Sequence, residues 1–191
     1  MSYEYKPYAI IAFLDNIVSA YVFYGALYIV TFWNLWTVDD WQQAILCVAL
    51  FIPLVWLTVC DLQNHELPNI GTLAIAIISF MFVALTNVTV LPLHVATGLF
   101  VTAFLWLAGE AYFRRHGQEG LGIGDAKLFG AGALLLGPWQ LPDLILLASL
   151  GGILGYCLSL FRPQQAKRGI PFGPFIAYST FLMIFLDPLF L

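Results

Sequence analysis

The sequence predicts an all-α protein, a polytopic transmembrane helix bundle of about seven spans. Two observations carry this. Of 191 residues, 61% are hydrophobic and only 9% are charged, whereas a soluble domain is about half apolar and about a quarter charged. The apolar residues also fall in long runs separated by short polar breaks, and a bilayer crossing takes about 20 such residues. The length then suits six to eight spans in a single integral-membrane domain, residues 1–191. A formal net charge of −4 with 7 basic residues excludes nucleic acid as a partner; the lipid bilayer is the expected surrounding.

The apolar runs place spans at about 9–33, 42–60, 70–91, 93–113, 126–137, 143–161 and 170–190. The first is too long for a cleavable signal peptide and has no small-residue cleavage site, so it reads as a signal anchor. Span 126–137 is about 18 Å long at 1.5 Å per residue, short of the roughly 30 Å hydrocarbon core. A re-entrant segment is one reading. The preferred one is a short span that continues through a break at Gly137-Pro138, where proline ends or kinks a helix. Trp33, Trp36, Trp41 and Trp139 read as interfacial belt residues. Cys47, Cys60 and Cys157 are scattered, form no CxxC pair and read as apolar core residues.

Orientation follows from the basic residues, which concentrate in cytoplasmic loops. Lys6 precedes the first span, Arg114 and Arg115 follow the fourth, and Arg162, Lys167 and Arg168 follow the sixth. Seven spans with a cytoplasmic N-terminus put all of them on one side. Two loops then face the cytoplasm together, DLQNHELPN at 61–69 and the loop that ends in GIGD. Each brings one aspartate to the membrane boundary, Asp61 and Asp125.

Two carboxylates within reach of one water cannot both ionise easily. One keeps a proton and polarises a scissile carbonyl while the other deprotonates the water, as in aspartic proteases. Such chemistry needs water and belongs at an interface or in a wet cavity. Gly122 and Gly124 permit positive φ and the close approach of a peptide beside Asp125. The alternative for GxGD is a helix start with Asp125 as its N-cap.

Three ordered motifs raise the first reading. DLQNHELPN carries Asp61, Leu67, Pro68 and Asn69; GLGIGDAKL carries Gly122, Gly124, Asp125, Lys127 and Leu128; IPFGPF carries Pro171, Phe172, Gly173 and Pro174. Over about residues 45–185 this order resembles the type IV prepilin peptidases, GxGD membrane aspartic proteases of pilus and type II secretion systems. The resemblance implies Asp61 and Asp125 as the catalytic pair of an aspartic endopeptidase in the bacterial inner membrane. It implies prepilin or pseudopilin substrates, whose short basic leader is cleaved at the cytoplasmic face just before a hydrophobic helix. Many members also carry a tetracysteine zinc-binding insertion and methylate the new N-terminus. This sequence has neither the cysteines nor room for the insertion, so it resembles a short, peptidase-only form with no cofactor.

The remaining candidates keep two readings each. Glu66 and Glu119 attract a basic leader or are solvated loop acids. Lys127 is an interfacial anchor or a charge that tunes the site. Asp61 and His65 have the i, i+4 spacing of a metal pair, but no third ligand is evident, and no metal is expected. Glu110 and Arg114 are spaced for an ion pair. Two other functions compete. A presenilin or signal-peptide-peptidase type of GxGD protease carries YD and PAL signatures, which VCDLQN and PFGP do not match. A non-catalytic assembly or transport protein would use the acids as proton relays; no internal repeat supports it. The oligomeric state is not encoded in any of these features.

Overall fold

The computed structural model describes residues 7–33, 41–118, 120–160 and 171–186. Among these there are six helices: α1 (Pro7–Trp33), α2 (Trp41–Asn64), α3 (Asn69–Thr86), α4 (Leu91–His116), α5 (Ile123–Leu160) and α6 (Gly173–Leu182). Four of them, α2 to α5, contain stretches long and apolar enough to cross a membrane. Their outward faces are apolar, with Ile52, Ile70, Leu85 and Leu99 each at least two-thirds exposed. Exposure of so many large apolar side chains suits lipid rather than water. The polytopic helical bundle expected from composition is the observed fold.

Helix ends follow recognisable chemistry. The α2–α3 turn begins at His65, whose φ of 54° is left-handed and whose N–H bonds the Asp61 carbonyl at 2.9 Å. This is the αL helix stop, usually made by glycine. Pro68, just before Asn69, cannot extend α2 and starts α3 instead. Gly117, with φ 69°, ends α4 after Arg114, Arg115 and His116, three residues suited to the negative end of a helix dipole.

The fifth and sixth expected spans form one helix, α5, broken at Gly137 (φ 72°, ψ −175°). The GPWQLPD stretch, expected as a divider, is helical apart from that break. The cause is local. Pro138 has no N–H to give the carbonyl four residues back, that of Leu134, and His94 Nδ1 of α4 lies 3.0 Å from that oxygen instead. A straight helix of 38 residues would run to about 57 Å, nearly twice the hydrocarbon core. The break turns the chain back. Trp33 ends α1, Trp41 begins α2 and Trp139 follows the break, all more than 60% exposed; Trp36 lies outside the described residues.

α5 is the spine, packed on α3, α4 and α6, while α6 also packs on α2. At the α4–α5 crossing a Cβ on Gly98 would stand 2.8 Å from the Gly130 carbonyl oxygen, so only glycine allows the backbones to meet. An aromatic cluster joins α1, α2 and α6: Tyr28 packs edge-on against Phe51 and Tyr178 and tilted against Phe181. The Tyr28 hydroxyl hydrogen-bonds Thr58 at 3.1 Å, and Thr31 bonds Tyr178 at 3.0 Å. Gln43 donates to the Ile184 carbonyl, tying the start of α2 to the end of α6. These contacts lay α6 antiparallel along α2, so that its N-terminus comes to the last turn of α2.

Candidate active site

Helices α2, α4, α5 and α6 bring four chain segments to the end of the bundle opposite the tryptophans. Asp61 occupies the last turn of α2 and is buried, 5% exposed. Asp125 lies in the first turn of α5 and is half-buried. Both line one cavity of about 550 Å³, together with His65, Glu66, Glu110 and Lys127. The two carboxylates thus share one polar space. The cavity therefore holds four acids against one lysine.

Each aspartate is fixed by a helix start. The Gly173 N–H, first in α6, donates to Asp61 Oδ2 at 2.9 Å. Pro174 follows it at a position where a missing N–H costs nothing. The PFGP motif thus directs the positive end of α6 at the Asp61 carboxylate. Asp125 is not an N-cap, since α5 begins two residues before it. The Gly122 carbonyl takes the Ala126 N–H at 3.2 Å, and the Asp125 carboxylate lies against Gly122. Asp125 is the third residue of the helix, the position from which an acid faces the cap residue in a capping box.

The two motif glycines do their work without positive φ; among the described residues only Gly117, Gly137 and His65 adopt it. What Gly124 and Gly173 admit is a close approach of this chain's own Leu67 and Asp61. A Cβ on Gly124 would stand 2.8 Å from Leu67 Cβ, and one on Gly173 would stand 2.8 Å from Asp61 Oδ2 and 3.0 Å from Leu67 Cδ2. Leu67 is wedged between the starts of α5 and α6, so the three motifs meet on one side chain. Lys127 Nζ donates to Asn69 Oδ1 at 2.7 Å. This lysine, expected as an anchor or a tuning charge, links α5 to α3 beside Asp125. Leu128 is fully buried in the core.

Glu66 is exposed at the cavity edge; Glu119 lies outside the described residues, as do Lys6, Arg162, Lys167 and Arg168. Arg114 pairs with Glu110 at 2.8 Å, the spacing expected of them. Among the described residues no three His, Cys, Asp or Glu side chains are grouped to hold a metal ion. His65 instead serves as the helix stop. Sequence reading missed the α6 N–H on Asp61 and the Lys127–Asn69 bond, although PFGP carried the Gly-Pro signature of a helix start.

The model of the type IV leader peptidase family matches residues 48–157. The chain is 35% identical over 132 residues to the prepilin leader peptidase/N-methyltransferase of Aeromonas salmonicida strain A449, covering 69% of this chain and 45% of that one. It is 32% identical over 135 residues to the protein of the same description from Escherichia coli K12, covering 69% and 59%. The type 4 prepilin-like proteins leader peptide-processing enzyme of Escherichia coli O78:H11 is 30% identical over 164 residues, covering 81% and 56%. The chain thus spans about half the length of the curated relatives it matches. No solved structure matches it significantly.

Proposed function

The chain belongs to the type IV leader peptidase family, and we propose that it is a membrane-embedded aspartic endopeptidase that removes the leader of prepilins or pseudopilins. The observation that carries this is the shared cavity of Asp61 and Asp125 at one end of a lipid-suited bundle. In the proposed reaction a water lies between the two carboxyls. One carboxylate takes its proton while the protonated partner hydrogen-bonds the scissile carbonyl; oxygen attacks carbon, the C–N bond breaks, and the departing amine leaves with a proton. The Gly173 N–H on Asp61 and the first turn of α5 around Asp125 hold both groups in place beforehand, which is where positional accuracy is needed.

A basic leader suits the acidic lining, Glu66 included. Arg114 and Arg115 end α4 on the same side as the aspartates, which favours a cytoplasmic site and an inner-membrane location. The proposal covers hydrolysis only; the N-methyltransferase activity in the description of two of those relatives is not proposed for this chain.

Purified chain in vesicles, mixed with a prepilin, tests the reading. Asp61→Asn and Asp125→Asn should each reduce cleavage by about 10²–10⁴-fold or more, in line with loss of a general acid or base, while the protein still inserts. Full cleavage by either variant ends the assignment.

A further inference from the structure

Beside the aspartate cavity runs a second, apolar groove of about 410 Å³. Its walls are Leu73, Ala76 and Phe80 of α3 and Val95 and Leu99 of α4; its floor is the α5 surface at Gly130 and Leu134. The groove exists because α3 and α4 both pack on α5 but touch each other little. Hydroxyls along it are already engaged, Thr72 with the Asn69 carbonyl and Thr102 with the Gly98 carbonyl. From Asn69 to Phe80 it extends about 16 Å at the helical rise, roughly half the hydrocarbon core.

Two residues line both spaces, Asn69 and Lys127, and they are the pair joined at 2.7 Å. The polar cavity and the apolar groove therefore meet end to end, with this hydrogen bond as the sill and Asp125 two residues away. A bound chain that follows this course must change from polar to apolar where it crosses the sill.

We propose that the α3–α4 groove seats the apolar helical segment following the cleaved bond, and that the Asn69–Lys127 pair sets which bond lies at the aspartates. The assignment rests on the peptidase reading and adds to it a seat and a register. Lys127 and Asn69 act here as specificity-determining positions, since neither need touch the reacting atoms. A single transmembrane-type helix is favoured as occupant over a lipid chain because the groove opens directly into the acid-lined space, which has no use for an acyl tail.

The test uses the full chain in phosphatidylethanolamine–phosphatidylglycerol vesicles and a synthetic peptide with a lysine-bearing leader before twenty apolar residues. Leu73→Trp and Leu99→Trp, which narrow the groove, should raise KM at least about tenfold and leave kcat within about threefold, the pattern of lost uniform binding. Lys127→Ala should displace or scatter the cleaved bond, read by mass spectrometry of the products, and Lys127→Arg should restore a single site. As a readout independent of turnover, a photo-crosslinker replacing Ala76 in the Asp125→Asn background should capture the peptide's apolar half. Unchanged KM in both tryptophan variants, an unmoved bond in Lys127→Ala, or crosslinks to lipid alone would overturn the proposal. Capture at position 76 with no cleavage by wild type would uphold the groove and overturn the peptidase reading instead.

Discussion

The backbone N–H of Gly173 donates to Asp61 Oδ2 across 2.9 Å, joining residues 112 positions apart in the chain. It makes the start of α6 part of the Asp61 environment, and its geometry leaves no room for a side chain at 173. Gly173→Ala would set a Cβ 2.8 Å from that oxygen. We expect this variant to insert normally and to lose at least about tenfold in leader cleavage, the size of effect expected from a small misplacement of a reacting group. A cleavage assay beside a thermal melt separates the two effects; undiminished cleavage would show that α6 does not position Asp61.

Leu67 offers a sharper test because it faces two glycines. Gly124→Ala alone drives a Cβ to 2.8 Å from Leu67 Cβ, an overpacking that costs about 1–3 kcal/mol. Removing the opposing Cβ as well opens space, so Gly124→Ala with Leu67→Gly should be less damaging than the two single changes added together. Melting curves of all four proteins measure the coupling. Strict additivity would mean that the two positions do not press on each other.

At the other end of the bundle, His94→Ala removes the partner that Pro138 denies to the Leu134 carbonyl. A hydrogen bond between membrane helices averages about 0.6 kcal/mol and reaches about 1.7, so a modest fall in Tm is expected. Gly137→Ala should be worse, because φ 72° is left-handed and the added Cβ would meet the His94 ring. Equal melting temperatures for these two variants would contradict this account of the break.

The Glu110–Arg114 pair supplies the contrasting case. Both groups are substantially solvent-exposed, with side-chain exposures of 39% and 76%, and exposed i, i+4 pairs contribute only about 0.3–0.5 kcal/mol. Arg114→Ala should therefore leave the melting temperature almost where it was. A large fall would point to a role for Arg114 beyond its exposed pair.

Much of this architecture was legible in the sequence because it depends on local signals. Apolar runs marked the helices, Gly137-Pro138 marked the break in α5, and the alternation of spans brought the Asp61 and Asp125 loops to one end. What could not be read were contacts that periodicity does not encode. The Lys127–Asn69 bond spans 58 positions, and a lysine two residues after Asp125 gives no sign of which helix it will meet. Glycines 122 and 124 were legible as special positions, but positive φ was the wrong mechanism for them. Gly122 caps a helix and Gly124 clears Leu67, and only the neighbouring segments reveal that difference.

Leu67 has one further consequence. Its side chain separates the starts of α5 and α6 in the way a shim separates two machined faces. A shim cannot be exchanged without refitting both faces. A bulkier residue at 67 would push the Asp125 segment and the Gly173 segment apart together, and a smaller one would let both settle inward. Positions 67, 124 and 173 therefore share one tolerance, and sequences that keep this site working should change them as a set.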